Sequence, residues 1–346
     1  MSESTFDLFC MGNPLLDMQV TNGEELLKKY DLKANDAILA EEKHAALYEE
    51  IVREHKITYV AGGAAQNAAR GAAYVLPPKS VVYAGVVGDD DLAEQLKAAN
   101  AREGLTEVYD VRKGEKTGAC AVIITGHHRS LVTTLRVAEK FEKDYLATPK
   151  IARLIDGAKV FYVEGYFLTH GTDSAIEVAK KASDAGKIFA LNLSAPFIPQ
   201  FFKLQVDQVI FFSDLIICNE SEAGAWANAA GLPSAEDYPA IAKALATLPK
   251  SNASRPRAVV ITQGPHSTVV VSSAEPDAPK VFPVDALTDE QIVDTNGAGD
   301  AFAGGYLGAL VAGKSVDECV LAGHKMGAMC VQLVGPQYKW PKVDIL

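Results

Sequence analysis

The stretch Asp294-Thr295-Asn296-Gly297-Ala298-Gly299-Asp300-Ala301-Phe302 leads into an apolar segment, residues 301–311, that is long enough to form a helix. Small residues at 297–299 leave backbone N–H groups open to one point, where a helix N-terminus adds unpaired donors and the positive end of its dipole. This pattern favours a phosphate or a developing oxyanion. Asp300, in the predicted first turn, is placed to accept a proton from a hydroxyl beside that anion. These residues alone are equally consistent with a glycine-rich turn before an ordinary acidic first turn.

Length and composition are those of an ordinary soluble globular protein, with room for one large core or for a domain with an appendage. The chain has 346 residues, of which 48% are hydrophobic and 22% charged, and its formal net charge is −11. Because this acidity comes without a basic cluster, it disfavours a nucleic-acid partner. An anionic substrate must therefore be bound by local features against the overall field.

The sequence carries no sign of a membrane or of a secretory pathway. No apolar run has the length of a membrane span, and residues 1–7 are polar and acidic rather than signal-like. The five cysteines are scattered and lack Cys-x-x-Cys spacing, so free thiols are expected. These features predict no membrane partner and a cytoplasmic location, which leaves presence in the nucleus open.

Short β-rich runs alternate with helix-length segments over most of the chain, which is typical of an α/β fold with a parallel sheet covered on both faces. The predicted strands are residues 8–11, 80–87, 159–164, 188–193, 214–218, 258–262 and 268–271. The predicted helices are residues 66–75, 91–102, 172–185, 220–230 and 235–248. Residues 299–334 lack a strand signal and predict two packed helices.

Two zones interrupt this alternation. Residues 15–20 with 37–39, and residues 117–125 with 131–137, are each interpreted as a pair of antiparallel strands outside the main sheet. We expect them to meet as a small second layer over the carboxyl edge of the sheet, where open α/β folds bind ligands. The natural interpretation of such a layer is a lid.

A literal match to the phosphate-loop pattern G-x-x-x-x-G-K-[ST] occurs at residues 308–315. That loop needs a strand before it and a helix after it, whereas the preceding residues here continue a helical pattern. Gly313 fits the end of a helix, and Ser315 with Glu318 fits a capping box for the next helix. The alternative is a nucleotide-hydrolysing enzyme that uses Lys314.

Polar residues and glycines follow several predicted strands. Asp17 is either an exposed strand-end charge or an acceptor for two vicinal sugar hydroxyls. Asn219 and Glu222 either begin a helix or order water around Mg²⁺. Further candidates at strand ends or helix starts are Asn13, Gly62, Gly63, Asn67, Thr262 and Gly264. Together these positions indicate a ligand site at one edge of the sheet.

Nearly the whole chain resembles the ribokinase-like carbohydrate kinase family, and within it the branch that phosphorylates adenosine. The resemblance is carried by residues 11–17 (MGNPLLD), 61–67 (AGGAAQN), 192–197 (NLSAPF), 219–222 (NESE) and 294–300 (DTNGAGD). Asn296 fits that branch, since many sugar kinases have a second threonine there. The resemblance implies a central, mostly parallel sheet flanked by helices and a small β-rich lid. We expect residues 1–13, 62–111 and 139–346 to form the large catalytic domain, and 14–61 and 112–138 the lid.

The resemblance implies transfer of the γ-phosphate of MgATP to the 5′-hydroxyl of adenosine, giving AMP and ADP in purine salvage, by a monomer. Asp300 would be the general base, and the amides of Gly297, Ala298 and Gly299 would form the anion hole. Positions matching adenosine contacts are Asn13, Asp17, Gly63, Asn67, Cys120, Leu131, Phe167 and Asn296. Positions matching ATP contacts are Arg129, Asn219, Glu222, Thr262, Gly264 and His324. No direct protein ligand to the metal is expected: ATP and water would hold Mg²⁺, with Glu222 behind the water.

Several positions depart from the family pattern. Ala64 replaces a common serine, His127-His128 replaces an acidic–amide pair, Thr133 replaces an alanine, and Asp289 stands where relatives can have glutamine. These departures leave the shape of the nucleoside pocket open. The alternatives are therefore a related kinase acting on another nucleoside or a sugar, and a nucleoside-binding protein without catalysis.

Overall fold

The computed structural model of the chain describes residues 6–34, 36–126 and 128–346, so His127 lies outside the described residues. The strands, in chain order, are β1 (Leu8–Met11), β2 (Leu15–Thr21), β3 (Ala37–Leu39), β4 (Thr58–Gly62), β5 (Val81–Gly88), β6 (Thr106–Arg112), β7 (Gly118–Thr125), β8 (His128–Thr134), β9 (Val160–Glu164), β10 (Ile188–Asn192), β11 (Leu215–Asn219), β12 (Ala258–Thr262), β13 (Thr268–Ser272) and β14 (Lys280–Phe282).

The helices, in chain order, are α1 (Glu24–Lys29), α2 (Leu47–Glu54), α3 (Ala64–Val75), α4 (Asp91–Glu103), α5 (Lys143–Leu146), α6 (Pro149–Gly157), α7 (Thr172–Asp184), α8 (Phe197–Phe201), α9 (Lys203–Ile210), α10 (Glu220–Ala229), α11 (Tyr238–Thr247), α12 (Ala298–Val311) and α13 (Val316–Cys330). None of these helices combines the length and the apolar character needed to cross a membrane. All five cysteines are free and buried, as expected.

The large sheet has the strand order β14-β13-β12-β11-β10-β9-β1-β5-β6 in the described part of the chain. The seven strands β12-β11-β10-β9-β1-β5-β6 pair with their neighbours in parallel. The two strands at the other edge, β13 and β14, pair in antiparallel fashion. The predicted strands are confirmed within one or two residues, and so is the α/β class. The sequence prediction missed β6, which is polar at alternate positions, and β14, which is only three residues long. Both are edge strands, and edge strands lack the continuous apolar run that marks a buried strand.

The small sheet has the strand order β3-β8-β7-β2-β4. The predicted antiparallel pairing of β7 with β8 is confirmed. The predicted pairing of residues 15–20 with 37–39 is wrong: β2 lies between β7 and β4, whereas β3 pairs with β8 in parallel. The physical reason is length, because the three residues of β3 offer too few hydrogen bonds to compete for the seven-residue β2, which is almost entirely buried.

Each face of the large sheet carries its own apolar core. One face packs against α5 to α11, with β-strand residues such as Phe161 and Val259 at its centre. The other face packs against α3, α12 and α13, with Leu8 and Tyr162 among its strand residues. The two predicted C-terminal helices are confirmed as α12 and α13. Because α12 is buried along one face of the sheet, its N-terminus is held rigidly at the sheet's edge.

Helices α3 and α12 approach closely at two glycines. A Cβ atom on Gly304 would lie 2.6 Å from the carbonyl oxygen of Ala68 and 2.8 Å from the Cα atom of Gly71. Gly71 and Gly304 each lie four residues, one helical turn, after Asn67 and Asp300 respectively. The close helix contact therefore sets the separation of those two polar side chains.

We expect Gly304→Ala to lower the free energy of unfolding by about 1–3 kcal/mol, because the added methyl group must push apart two backbones that have no room for it. Urea denaturation measures this value. Gly327→Ala on α13 is the matched control, since its Cβ would lie 3.6 Å from the nearest atom, an ordinary contact. Equal stability of the two variants would contradict the close contact as a constraint.

Candidate active site

A cavity of about 310 Å³ is lined by residues of both sheets and by the N-terminus of α12. It brings together most of the residues that the sequence indicated. The predicted residues that line it are Asn13, Asp17, Gly63, Asn67, Cys120, Leu131, Asn219, Glu222, Thr262, Asn296, Gly297, Ala298, Gly299 and Asp300. The cavity thus joins the carboxyl ends of large-sheet strands to one wall of the small sheet.

The loop before α12 is shaped by Gly297. This residue has φ +78°, a left-handed conformation that favours glycine, and a Cβ atom there would lie 2.6 Å from Pro336. The amide of Ala298 donates to the carbonyl oxygen of Thr295 at 3.3 Å, a long bond. The next two amides, those of Gly299 and Asp300, have no carbonyl group of an earlier helical turn to bond. The N-terminus of α12 therefore presents main-chain donors to the cavity.

Asp300 lies in the first turn of α12 and is half-buried. Its Oδ2 atom accepts a hydrogen bond from Nδ2 of Asn67 at 2.9 Å. Burial raises the pKa of Asp300 to about 7, and the hydrogen bond from Asn67 and the charge of Arg70 act in the opposite direction. A carboxyl group with a pKa near neutrality, beside a cluster of main-chain donors, is suited to general-base chemistry.

Asp17 lies on β2 and is buried within the same cavity. A Cβ atom on Gly62, in the adjoining strand β4, would lie 2.2 Å from its Oδ1 atom, so the glycine makes room for the carboxyl group. Burial first, and then the nearby charge of Asp300, raise the pKa of Asp17 to about 7. Two acids that line one cavity can hold and activate different hydroxyl groups of one ligand.

Asn13 follows β1 and is also buried in the cavity wall. Its Oδ1 atom lies 2.9 Å from Nε2 of His170. Its Nδ2 atom is buried and has no hydrogen-bond partner among the described residues. Burial lowers the pKa of His170 to about 4, so this ring stays neutral at physiological pH. A buried unpaired donor in a cavity wall is one that a ligand oxygen can satisfy.

The apolar wall of the cavity includes Cys120 and Leu131 of the small sheet, as predicted. Thr133, one of the departures, also lines it, and its hydroxyl lies 3.4 Å from the Cys120 sulfur. Phe167 does not line the cavity. It is fully buried in the core, 5.3 Å from the Phe141 ring, and Tyr166 beside it faces the cavity instead. The sequence could not tell these two neighbours apart, because the direction of each side chain depends on the turn at Gly165–Thr169.

The predicted ATP residues divide into two groups. Asn219 and Glu222 form a reciprocal capping box at the start of α10, with both hydrogen bonds at 2.9 Å, and both line the cavity. Thr262 lines it as well. Gly264 and His324 lie outside it: Gly264 occupies the β12–β13 turn with φ +52°, and the His324 ring lies 2.8 Å from the Thr268 hydroxyl.

Arg129 of β8 also lies outside the cavity lining. Its Nε atom forms an ion pair with Oδ1 of Asp294, which is fully buried, in the loop that precedes α12. Asp294 also accepts hydrogen bonds from the amides of Asn296 at 2.8 Å and Gly335 at 2.7 Å. The small sheet is therefore joined by a charged contact to the loop that shapes the anion site.

Glu164, which the sequence motifs did not indicate, is a buried residue at the carboxyl end of β9 and lines the cavity. Its Oε2 atom accepts a hydrogen bond from the amide of Tyr166 at 2.7 Å, and burial raises its pKa to about 8. Its place at the end of a predicted parallel strand was the signal that could have found it. With Asp17, Glu222 and Asp300 it makes the cavity strongly acidic.

Comparison with known proteins assigns this architecture. A model of the family described as pfkB family carbohydrate kinase matches residues 24–343. The chain belongs to the pfkB family. Membership explains the α/β fold and the second, smaller sheet, and it confirms the resemblance inferred from the motifs. Because members of the family are kinases, the chain is a phosphotransferase, and the cavity is the candidate site of phosphoryl transfer.

Relatives of this pfkB chain include adenosine kinases over its full length. It is similar to the adenosine kinase of Schizophyllum commune, with 65% identity over 343 residues that cover 99% of this chain and 100% of the relative. A Saccharomyces cerevisiae adenosine kinase is 42% identical over 345 residues, covering 98% and 99%. Among solved structures, Anopheles gambiae adenosine kinase in complex with P1,P4-di(adenosine-5) tetraphosphate aligns with a TM-score of 0.91 and 40% identity, covering 95% and 96%. Schistosoma mansoni adenosine kinase in complex with 2-fluoroadenosine aligns with a TM-score of 0.90 and 33% identity, covering 96% and 97%.

Proposed function

We propose that this pfkB kinase transfers the γ-phosphate of MgATP to the 5′-hydroxyl of adenosine, giving AMP and ADP. The observation that carries the proposal is the placement of Asp300. It lies in the first turn of the glycine-led helix α12, beside main-chain donors, and opens onto the same cavity as Asp17. Full-length similarity to adenosine kinases, one of them at 65% identity, supports adenosine as the acceptor.

The cavity offers a distinct environment for each part of a nucleoside. Asp17, with Asn67 and the unpaired Nδ2 of Asn13, would hold the ribose hydroxyls, since these side chains supply acceptors and donors in one wall. Leu131, Cys120 and Thr133 would contact the base from the small sheet. This orientation leaves the 5′-hydroxyl toward the N-terminus of α12.

Phosphoryl transfer then follows from the groups at that helix end. Asp300 accepts the proton of the 5′-hydroxyl while its oxygen attacks the γ-phosphorus in line with the bond to the β-phosphate oxygen, which breaks to release ADP. The main-chain donors of Gly297, Ala298 and Gly299 stabilise the negative charge on the transferring group. Because these donors are fixed by the fold before the reaction, no reorganisation is needed in the transition state.

The described residues fit a magnesium ion that is carried by the nucleotide. No group of three or more His, Cys, Asp or Glu side chains within them is arranged to hold a metal ion. Glu222 is buried at the cavity wall, and burial raises its pKa to about 7. Mg²⁺ in phosphotransferases usually keeps several waters and is bound through phosphates with one or two carboxylates. Glu222 and Asn219 would hold those waters, and the ion would neutralise phosphate charge in this acidic cavity.

We also propose that the small sheet acts as a lid. In this division, residues 1–13, 62–111 and 139–346 form the catalytic domain, and 14–61 with 112–138 form the lid. The lid supplies Asp17, Leu131 and Thr133 to the cavity, so a nucleoside contacts both parts. Closure would exclude water from the transferring phosphoryl group and limit hydrolysis of ATP.

The test is incubation of the purified protein with MgATP and, in separate reactions, adenosine, inosine, guanosine and ribose, followed by identification of the phosphorylated product. AMP as the dominant product supports the proposal. Preferred phosphorylation of another nucleoside or of ribose would place the chain elsewhere in the family. Tight adenosine binding without consumption of ATP would show a binding protein.

Lys314→Ala is expected to leave turnover of ATP unchanged. Gly313 ends α12 with φ +77°, and Ser315 caps α13 through its hydrogen bonds with Glu318, so the phosphate-loop match is a helix–helix turn. Lys314 lies 3.5 Å from Glu318 at the surface, outside the cavity. Steady-state kinetics with MgATP and adenosine provides the measurement. Abolished turnover would instead favour a phosphate loop at residues 308–315.

A further inference from the structure

A buried ion pair lies behind the base that we propose. Arg70 of α3 donates from Nε to Oε2 of Glu103 at 2.7 Å and from Nη2 to Oε1 at 3.2 Å. The two side chains are 1% and 0% exposed. Removing two charges from water costs several kcal/mol per ion, so such a pair is weak evidence for added stability. Its retention in the core calls for another role.

The ion pair is continuous with the hydrogen bond to Asp300. Nη1 of Arg70 donates to Oδ1 of Asn67 at 3.3 Å and to the carbonyl oxygen of Ala61 at 3.1 Å. Because a guanidinium group only donates, the amide oxygen of Asn67 must face it. The amide nitrogen then points the other way, where it donates to Asp300 at 2.9 Å. Arg70 thereby selects one of the two orientations of the Asn67 amide.

We propose that Arg70 and Glu103 are positioning residues for Asp300, which act through Asn67 and keep the carboxyl group ionised and aimed at the acceptor hydroxyl. This inference rests on the proposed role of Asp300 as general base. Glu103 holds the guanidinium group in place, Arg70 fixes the amide, and the amide donates to the base. The close contact of Gly71 with Gly304 keeps α3 and α12 near enough for this chain of contacts.

The surroundings of Asp300 show why such support is needed. The ionisable groups that face it are the carboxyl groups of Asp17, Glu164 and Glu222 and the guanidinium group of Arg70. Tyr162, Tyr166, Cys330 and Tyr338 also face it, and burial raises the pKa of each, so they remain neutral. Burial disfavours the ionised form of Asp300, and the Asn67 donor and the charge of Arg70 oppose that effect.

The test is the double variant Arg70→Met/Glu103→Met, assayed by kcat for adenosine phosphorylation from pH 5.5 to 9. Replacing both partners leaves no unpaired buried charge. We expect the acid limb of the profile to move up by about one pH unit, so that kcat falls about tenfold at pH 6 and stays near the parent value at pH 9. An equal loss of kcat at all pH values, or an unmoved limb, would overturn the inference.

Two further variants sharpen the test. Arg102→Ala removes a half-exposed arginine that donates to Oε1 of Glu103 at 2.9 Å from outside, and we expect its pH profile to match the parent. A shift as large as that of the double variant would show a general effect of charge around Glu103 and would overturn the inference. If circular dichroism shows that the double variant does not fold, Arg70→Gln/Glu103→Gln replaces it. This variant keeps an uncharged hydrogen-bonded pair, and we expect the same shift of its acid limb.

The parent profile and the Asp300→Asn variant separate failure of this inference from failure of the proposed function. An unmoved acid limb in the double variant, with a clear limb near pH 7 in the parent, rejects the positioning role alone. Near-parent kcat in Asp300→Asn rejects Asp300 as the base, whatever the acid limb of the double variant does.

Discussion

Asp300→Asn is expected to lower kcat for adenosine phosphorylation by about 10²–10⁴-fold, the usual contribution of a general base, with little change in KM. The amide keeps the shape of the side chain in the first turn of α12 but cannot accept the proton. The acid limb of the kcat profile should weaken with it, because protonation of the proposed base contributes to that limb. Steady-state kinetics across pH supplies both measurements.

The matched control for this prediction is Asp317→Asn. Asp317 lies in the first turn of the next helix, α13, where it is exposed and paired with Lys280 at 2.8 Å. The same loss of charge at a helix start is expected to leave kcat near the parent value there. Near-normal turnover of the Asp300 variant would remove this residue from the reaction.

Asp17→Ala is expected to raise KM for adenosine by about a hundredfold or more, with a smaller effect on kcat. In the proposed binding mode the variant would lose two charge-assisted hydrogen bonds to ribose hydroxyls, each contributing about 1.5–3 kcal/mol. These contacts form in the ground state as well as in the transition state, so their loss weakens binding first. Saturation kinetics with adenosine at constant MgATP measures the change, and KM for ATP serves as the internal reference.

A graded variant tests whether charge or shape matters at this position. Asp17→Asn keeps one acceptor oxygen beside Gly62 and removes the charge, so its KM should lie between those of the parent and of the alanine variant. Unchanged KM for adenosine in both variants would show that Asp17 does not hold the nucleoside.

The sequence predicted the interior of the fold better than its margins. Strands such as β1 and β12 are buried on both faces and read as continuous apolar runs, so their bounds were predicted without error. The edge strands β6 and β14 alternate with polar residues or are too short to show a pattern. The partner of β2 could not be read at all, because alternation along a strand shows which face is buried and not which strand lies beside it.

In the candidate site, too, backbone features could be predicted from the sequence and side-chain directions could not. Backbone-dependent features were visible in the sequence, since Gly297 and Gly63 mark positions with positive φ, where side chains other than glycine are strained. Side-chain direction was not visible, so Phe167 was predicted at the cavity wall where Tyr166 lies. The partner of Arg129 was equally hidden, because Asp294 is 165 residues away and meets it only through the tertiary fold.

The ion pair between Arg129 and Asp294 couples the small sheet to the loop that precedes α12. The Asp294 carboxylate pairs with Arg129 of the small sheet and accepts hydrogen bonds from two main-chain amides around the bend that leads into α12. If the small sheet is the lid that we propose, its movement away from the cavity would break this ion pair and remove one support of that bend. ATP bound without a nucleoside would then meet an incompletely assembled catalytic site.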